Sequence, residues 1–139
     1  MLKMHPYLNF DGQAEEAFKF YKSVLGGEFS IFRMGDMPGG EELSESERQR
    51  TMHISLPIGD HVILMASDTL PSLGHKLTEG NNFSISLHPG SREEADRLFQ
   101  GLSEGGEVDM PMEDQFWGDY FGSFKDKFGI HWMINYNPE

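Results

Sequence analysis

The chain has 139 residues and no cysteine, and 23 acidic against 11 basic side chains leave a formal net charge of −12. That length suits one domain with a proper hydrophobic core, and the missing cysteine excludes disulfides, thiolate metal ligation and a cysteine nucleophile. The charge argues against binding a nucleic-acid backbone or an anionic membrane surface, both of which rest on lysine and arginine.

The longest apolar run, Val62–Ala66, falls far short of the roughly 20 residues of a membrane span, and Met1–Pro6 has no apolar leader region. A soluble, cytoplasmic protein is expected. Along the chain, Pro6, Leu8 and Phe10 alternate with His5, Tyr7 and Asn9, the pattern of a strand with one buried face. Ala14, Ala17, Phe18, Tyr21, Val24 and Leu25 then follow helical spacing, with Asp11 as the expected cap and Gly26-Gly27 as the stop. Three strands are predicted next, over Glu28–Met34, Thr51–Pro57 and His61–Ser67, the last two joined by a turn at Ile58-Gly59-Asp60. Between them, Gly35–Gln49 is polar and broken by Gly and Pro, and reads as a mobile surface loop or short helix.

The pattern then repeats. Phe83, Ile85 and Leu87 alternate with Asn82, Ser84, Ser86 and His88; Ala95, Leu98, Phe99 and Leu102 follow helical spacing behind a Ser91…Glu94 capping box; Gly105-Gly106 stops the helix. Further strands are predicted at Glu107–Met112, Tyr120–Lys125 and Ile130–Asn137, with a turn at Lys127-Phe128-Gly129. Glu15-Glu16-Ala17 and Gly26-Gly27-Glu28 thus match Glu93-Glu94-Ala95 and Gly105-Gly106-Glu107. The fold expected is α+β: a single domain, residues 1–139, of two βαβββ modules at about 4–68 and 82–137. These form a cupped, mixed sheet of eight strands with the helices on its outer face.

Several strands carry a polar or mixed face: His5, Tyr7 and Asn9; His53 and Ser55; Asn82, Ser84 and Ser86; His131, Met133 and Asn135. A solvated sheet face is one reading. Such faces ordinarily carry Lys and Glu, which are nearly absent here, so the reading preferred is a curled sheet whose concave face lines a pocket. His53, flanked by Met52 and Ile54, is the candidate acid–base or ligand-orienting group, against a purely structural histidine. His61, His75 and His88 read as surface residues and Trp132 as core, while the loop composition around Trp117 leaves it either core or free to cap a pocket. No GxGxxG, Walker, GxSxG or HExxH sequence is present.

These residues resemble the vicinal oxygen chelate superfamily, which includes glyoxalase I, extradiol dioxygenases and bleomycin-resistance proteins, and within it the PhnB-like family. The resemblance rests on Tyr7-Leu8-Asn9-Phe10 with Ala17 and Phe20-Tyr21; Gly35-Asp36-Met37-Pro38; His53-Ile54 leading to Met65-Ala66-Ser67-Asp68; and Gln115-Phe116-Trp117-Gly118-Asp119 followed by Phe121-Gly122, Asp126, Phe128-Gly129 and Trp132. Two departures stand out: Tyr120 where relatives often carry Arg, and Lys127 where many carry Pro. The first would alter the charge offered to a ligand, the second only a turn. The methyltransferase name often attached to the PhnB-like family finds no glycine-rich strand-to-helix turn for a nucleotide cofactor here.

The superfamily's enzymes hold a divalent metal on four strands. Carried over by strand, those positions are His5, Asn82, Leu64 (Met65 if the register slips by one) and Met133. Only His5 is a strong ligand for such ions, with Asn82 a weak one, and His53 or His131 would have to substitute. The resemblance therefore implies a protein that binds a small organic molecule, as bleomycin-resistance members do, without a tight catalytic metal. The alternative is a metal-dependent lyase, isomerase or dioxygenase, and a divalent metal is the one cofactor left open. The expected pocket comprises His53 as the catalytic candidate with His5, Tyr7, Met34, Met65, Asn82, Ser84, Trp117, Phe124 and Met133. A homodimer is expected, because the superfamily pairs modules across chains and exposed sheet edges need covering.

Overall fold

Alternation and helical spacing locate both twelve-residue helices and all eight strands. The computed structural model covers residues 1–139 and resolves into two units, Met1–Thr78 and Glu79–Glu139. Each carries a four-stranded mixed sheet and a twelve-residue helix, the α+β class in βαβββ order.

In the first unit, strand β1 (Tyr7–Phe10) leads to helix α1 (Ala14–Leu25), then to β2 (Ser30–Arg33), β3 (Thr51–Ile58) and β4 (Val62–Asp68). The sheet order is β1-β4-β3-β2, with β1 parallel to β4 and the other pairs antiparallel. Leu8, Phe10, Ile54, Leu56, Leu64 and Ala66 meet Ala14, Ala17, Phe18 and Tyr21 of α1 in a core from which water is almost wholly excluded. Each large apolar side chain so buried contributes about 1.5–3 kcal/mol before entropy is counted. The segment 35–49 is not one loop: it holds two 3₁₀ turns, at Met34–Asp36 and Gly40–Glu42, and a single-turn helix α2 (Glu45–Arg48) capped by the Ser44 hydroxyl.

The start of α1 corrects one expectation. Asp11 does not cap it; its carboxylate accepts from Arg50 Nη1 at 2.9 Å and from Thr69 Oγ1 at 3.0 Å, and these bonds hold its pKa below the ordinary aspartate range. The cap comes from the far end of β4. Asp68, 5% exposed, accepts from Gly12 N at 3.0 Å and Ala14 N at 2.9 Å through Oδ1, and from Thr51 N at 2.8 Å through Oδ2. The Thr51 amide needs such a partner because the β2–β3 register breaks there: Phe32 lies opposite His53 but Arg33 lies opposite Thr51. Met52 is the extra residue of a bulge, which lets both Thr51 and Ile54 face the core.

The second unit repeats the plan. Strand β5 (Ile85–Leu87) precedes helix α3 (Arg92–Ser103), followed by β6 (Glu107–Asp114), β7 (Tyr120–Lys125) and β8 (His131–Tyr136), in the order β5-β8-β7-β6. The Ser91 hydroxyl caps α3 by accepting from Glu94 N at 3.0 Å, as its spacing predicts, while the Glu94 carboxylate reaches one residue further back than in a capping box and accepts from Gly90 N at 2.8 Å. Ala95, Leu98 and Leu102 pack on Phe124, Trp132 and Ile134. The β7–β8 turn is organised by buried Asp126, which accepts from Phe128 N, Ile130 N and, at 2.8 Å, Trp132 Nε1. Gly106 is required by close approach, since a Cβ there would fall on the Lys125 carbonyl. Strand β5 is shorter than its alternation suggests: Asn82, Phe83 and Ser84 lie outside it and are exposed.

Two outcomes follow. Asp68→Ala strands three amide donors at the junction of β1, α1 and β3, and is expected to lower unfolding free energy in urea by about 2–4 kcal/mol. Asp68→Asn recovers only part of this, because an amide NH₂ replaces one acceptor oxygen. The second concerns Arg33, whose Nη1 and Nη2 donate to Glu15 Oε1 and Oε2 at 2.7 and 3.1 Å and tie β2 to α1. The Arg33 guanidinium holds the Glu15 carboxyl below the ordinary glutamate range. A depressed carboxylate contributes stability that is present above the ordinary glutamate pKa and is lost as pH falls through the depressed value. Urea midpoints followed downward from about pH 5 should therefore fall less steeply in Glu15→Gln than in the wild type.

Candidate functional site

In each unit one face of the sheet carries that unit's twelve-residue helix, and the face turned away from it is here the open face. On the open face of the first sheet lie Tyr7 and Asn9 of β1, Ile63, Met65 and Ser67 of β4, His53, Ser55 and Pro57 of β3, and Ser30 and Phe32 of β2. Not one is a carboxylate, lysine or arginine, in a chain with 34 such residues. Tyr7, Met65, Ser55 and Ser30 run side by side across the four strands. The Tyr7 ring reaches diagonally over β4 to His53: Tyr7 Oη lies 3.3 Å from His53 Nδ1, with ring centroids 5.7 Å apart. Phe32, the strand neighbour of His53, is 58% exposed.

Several expected residues gather here and others do not. His53, Tyr7 and Met65 share this face, and β4 turns Leu64 into the core and Met65 outward. His5 precedes β1; its Nδ1 accepts from Ile63 N at 2.9 Å, and it lines a cleft of about 490 Å³ between the N-terminal segment and Pro57, Asp60 and His61 at the β3–β4 hairpin. Met34 is not an open wall but is buried at the 3₁₀ turn after β2. Phe124 is likewise corrected: it is fully buried on the helix side of the second sheet, edge-on to Phe99 with ring centroids 5.1 Å apart. The cause is register. The turn held by Asp126 sets Phe124 opposite Trp132, and Trp132 is core.

On the open face of the second sheet, Met133 lies between Ser86 and Ser123, and Asn135 lies beside Phe121. Asn135 Nδ2 donates to Asp119 Oδ2 at 3.0 Å in the β6–β7 turn, which carries Phe116 and Trp117 at its tip. Trp117 is 53% exposed, edge-on to Phe116, and its ring centroid lies 6.4 Å from that of Phe121. Asn82 and Ser84 stand on the exposed approach to β5. Tyr120, where a charge difference toward a ligand was expected, faces α3 instead. Its hydroxyl donates to Asp96 Oδ1 at 2.6 Å, which raises its pKa, and the Arg92 guanidinium lies 4.0 Å from the centre of its ring. Phe32 and Phe121 were missed because each stands next to a residue of equal apolar weight, Ile31 and Tyr120 respectively, so alternation leaves the facing open.

The donor set does not fit a divalent metal. No three His, Asp or Glu side chains come together in a way that holds an ion. His5 keeps only Nε2 for one, Leu64 is core, and Met133 is a soft thioether. The helix N-termini are no freer for an anionic group, since α1 is filled by the Asp68 carboxylate and α3 by Ser91. No helix is long and apolar enough to cross a membrane.

The paired βαβββ units are those of the glyoxalase/bleomycin resistance fold. A glyoxalase/bleomycin resistance protein from Albidiferax ferrireducens T118 superposes with a TM-score of 0.65 at 17% identity, covering 96% of this chain and 97% of that one. Within that fold, the chain belongs to the PhnB-like family described as 3-demethylubiquinone-9 3-methyltransferase, which it matches over residues 2–135. Protein PA1353 from Pseudomonas aeruginosa is 40% identical with a TM-score of 0.87, over 99% of this chain and 98% of its own. A PhnB protein from Bacillus cereus is 26% identical with a TM-score of 0.78, over 97% and 99%.

The two tryptophan and phenylalanine positions separate core from surface. Phe124→Ala is expected to cost about 3–5 kcal/mol in urea unfolding, whereas Trp117→Ala should stay within about 0.5 kcal/mol of the wild type.

Proposed function

We propose that this protein binds a small, partly aromatic organic molecule on the open face of the first module's sheet, around Tyr7, His53 and Met65, without a tightly bound catalytic metal. The observation that carries the reading is the composition of that face: aromatic, thioether, hydroxyl, amide and imidazole groups, with no formal charge other than what His53 can take up. Ligand sites are mostly apolar with a few placed polar groups, and this face has that make-up. Tyr7, Phe32 and Met65 supply the apolar contact, and His53 orients or protonates the ligand. In the second module Met133, Phe121 and Trp117 offer a like surface, with Asn82 and Ser84 as its polar members. His5 is the weak metal candidate, and the donor count above speaks against a tight ion there. Methyl transfer is not part of this reading, because the chain has no glycine-rich strand-to-helix turn for a nucleotide cofactor.

We further propose a cytoplasmic homodimer. Each sheet ends on strands with one unpaired edge, β1 and β2 in one and β5 and β6 in the other, and a two-fold pair covers such edges with one self-complementary patch.

The test is a thermal-shift screen of small aromatic compounds on protein purified without chelators or a metal-affinity tag. Hits are expected on metal-free protein, with affinity reduced about 5- to 10-fold in His53→Ala, the worth of one net hydrogen bond. Metal analysis should find well under one divalent ion per chain, and light scattering the mass of two chains. Hits that vanish on chelation, or that ignore His53→Ala, would sink the reading of the face; a monomer at tens of micromolar would sink the dimer.

A further inference from the structure

The Tyr7–His53 contact carries a consequence for what the face recognises, resting on the binding reading above. A neutral imidazole has one N–H donor and one lone-pair acceptor, and the partner of one nitrogen decides the state of the other. Tyr7 Oη meets His53 at Nδ1, at 3.3 Å, and neither the hydroxyl nor Nε2 has another hydrogen-bond partner in the chain. A phenol hydroxyl is a good donor and a poor acceptor, since its oxygen lone pair is drawn into the ring. An imidazole lone pair is a strong acceptor. The favoured arrangement is therefore Tyr7 O–H donating to Nδ1, which leaves the proton of the neutral ring on Nε2.

We propose that Tyr7 is a positioning residue that fixes His53 as an Nε2–H donor toward the open face, and that the ligand class is a neutral aromatic carbonyl compound whose oxygen accepts from it. Phe32 and Met65 provide the apolar setting on the same face. The preference for a neutral oxygen over a carboxylate follows from the surroundings. No lysine or arginine stands on this face to compensate a desolvated anion, and the chain carries a net charge of −12.

The tautomer is read directly by long-range nitrogen–proton correlation NMR on the ¹⁵N-labelled full chain at about pH 8.5, where histidine is ordinarily neutral. His53 is expected as the Nε2–H form alone in the wild type, and as a mixture of both forms in Tyr7→Phe, which keeps the ring and removes the hydroxyl. An Nδ1–H form in the wild type, or identical populations in the two proteins, overturns the role of Tyr7. The ligand class is tested with acetophenone and ethylbenzene, matched probes that differ in a carbonyl oxygen. Acetophenone should bind about 5-fold more tightly to the wild type, with that preference reduced by up to about twofold in Tyr7→Phe, in proportion to the Nε2–H fraction lost. Equal affinity of the wild type for both probes overturns carbonyl recognition. Failure of both to bind overturns the reading of the face as a site; an Nε2–H tautomer found alongside that failure still upholds what Tyr7 does to His53.

Discussion

The first module depends on one carboxylate. Asp68, at the end of β4, accepts three backbone N–H groups that belong to the β1–α1 turn, the first residue of α1 and the first residue of β3. Each of those amides sits at or just before the start of regular structure, where helical and ladder partners run out. A buried amide left unpaired costs roughly 1–3 kcal/mol, so one side chain removes three such costs at the point where three elements meet. Its negative charge also lies at the positive end of the α1 dipole. Because β1 and β4 are parallel neighbours, with Phe10 opposite Asp68, the same register that pairs the strands delivers the carboxylate to the helix.

The second module solves the equivalent problem with different residues. Its helix is capped locally by Ser91, and its buried aspartate, Asp126, closes the β7–β8 turn and takes the Trp132 indole N–H. The two halves thus share strand order and helix placement but not their polar anchors. The constraint they have in common is that every buried polar group must find a partner, and no buried side-chain nitrogen or oxygen in the chain lacks one.

That accounting leaves function to the faces where packing is not required. The helix side of each sheet is committed to the core, and both helix N-termini are committed to internal oxygens. What remains chemically open in the first module is a surface with one imidazole, one phenol, a thioether and small polar groups, and no charge around them. On the proposed reading, that surface takes a neutral, flat molecule rather than phosphate, nucleic acid or a hard metal ion.

Sequence alone determined the helices, most strands and the Ser91 cap, because each rests on spacing within a dozen residues, and it showed the internal repeat because Glu15-Glu16-Ala17 and Gly26-Gly27-Glu28 recur as Glu93-Glu94-Ala95 and Gly105-Gly106-Glu107. It also determined that His53 and Ser55 share a face, since strand alternation is local. Tertiary structure decided the rest. Asp68 caps a helix that begins 54 residues earlier, and nothing in local pattern links the two positions. Phe124 went to the core rather than a pocket wall because the Asp126 turn sets the β7–β8 register, and a shift of one residue reverses every facing. Tyr7 and His53 meet only because β4 comes between β1 and β3 in the sheet, an order that chain sequence does not state. Local spacing fixes which way a side chain points along its own strand; which strands become neighbours, and in what register, is settled by how the whole core packs.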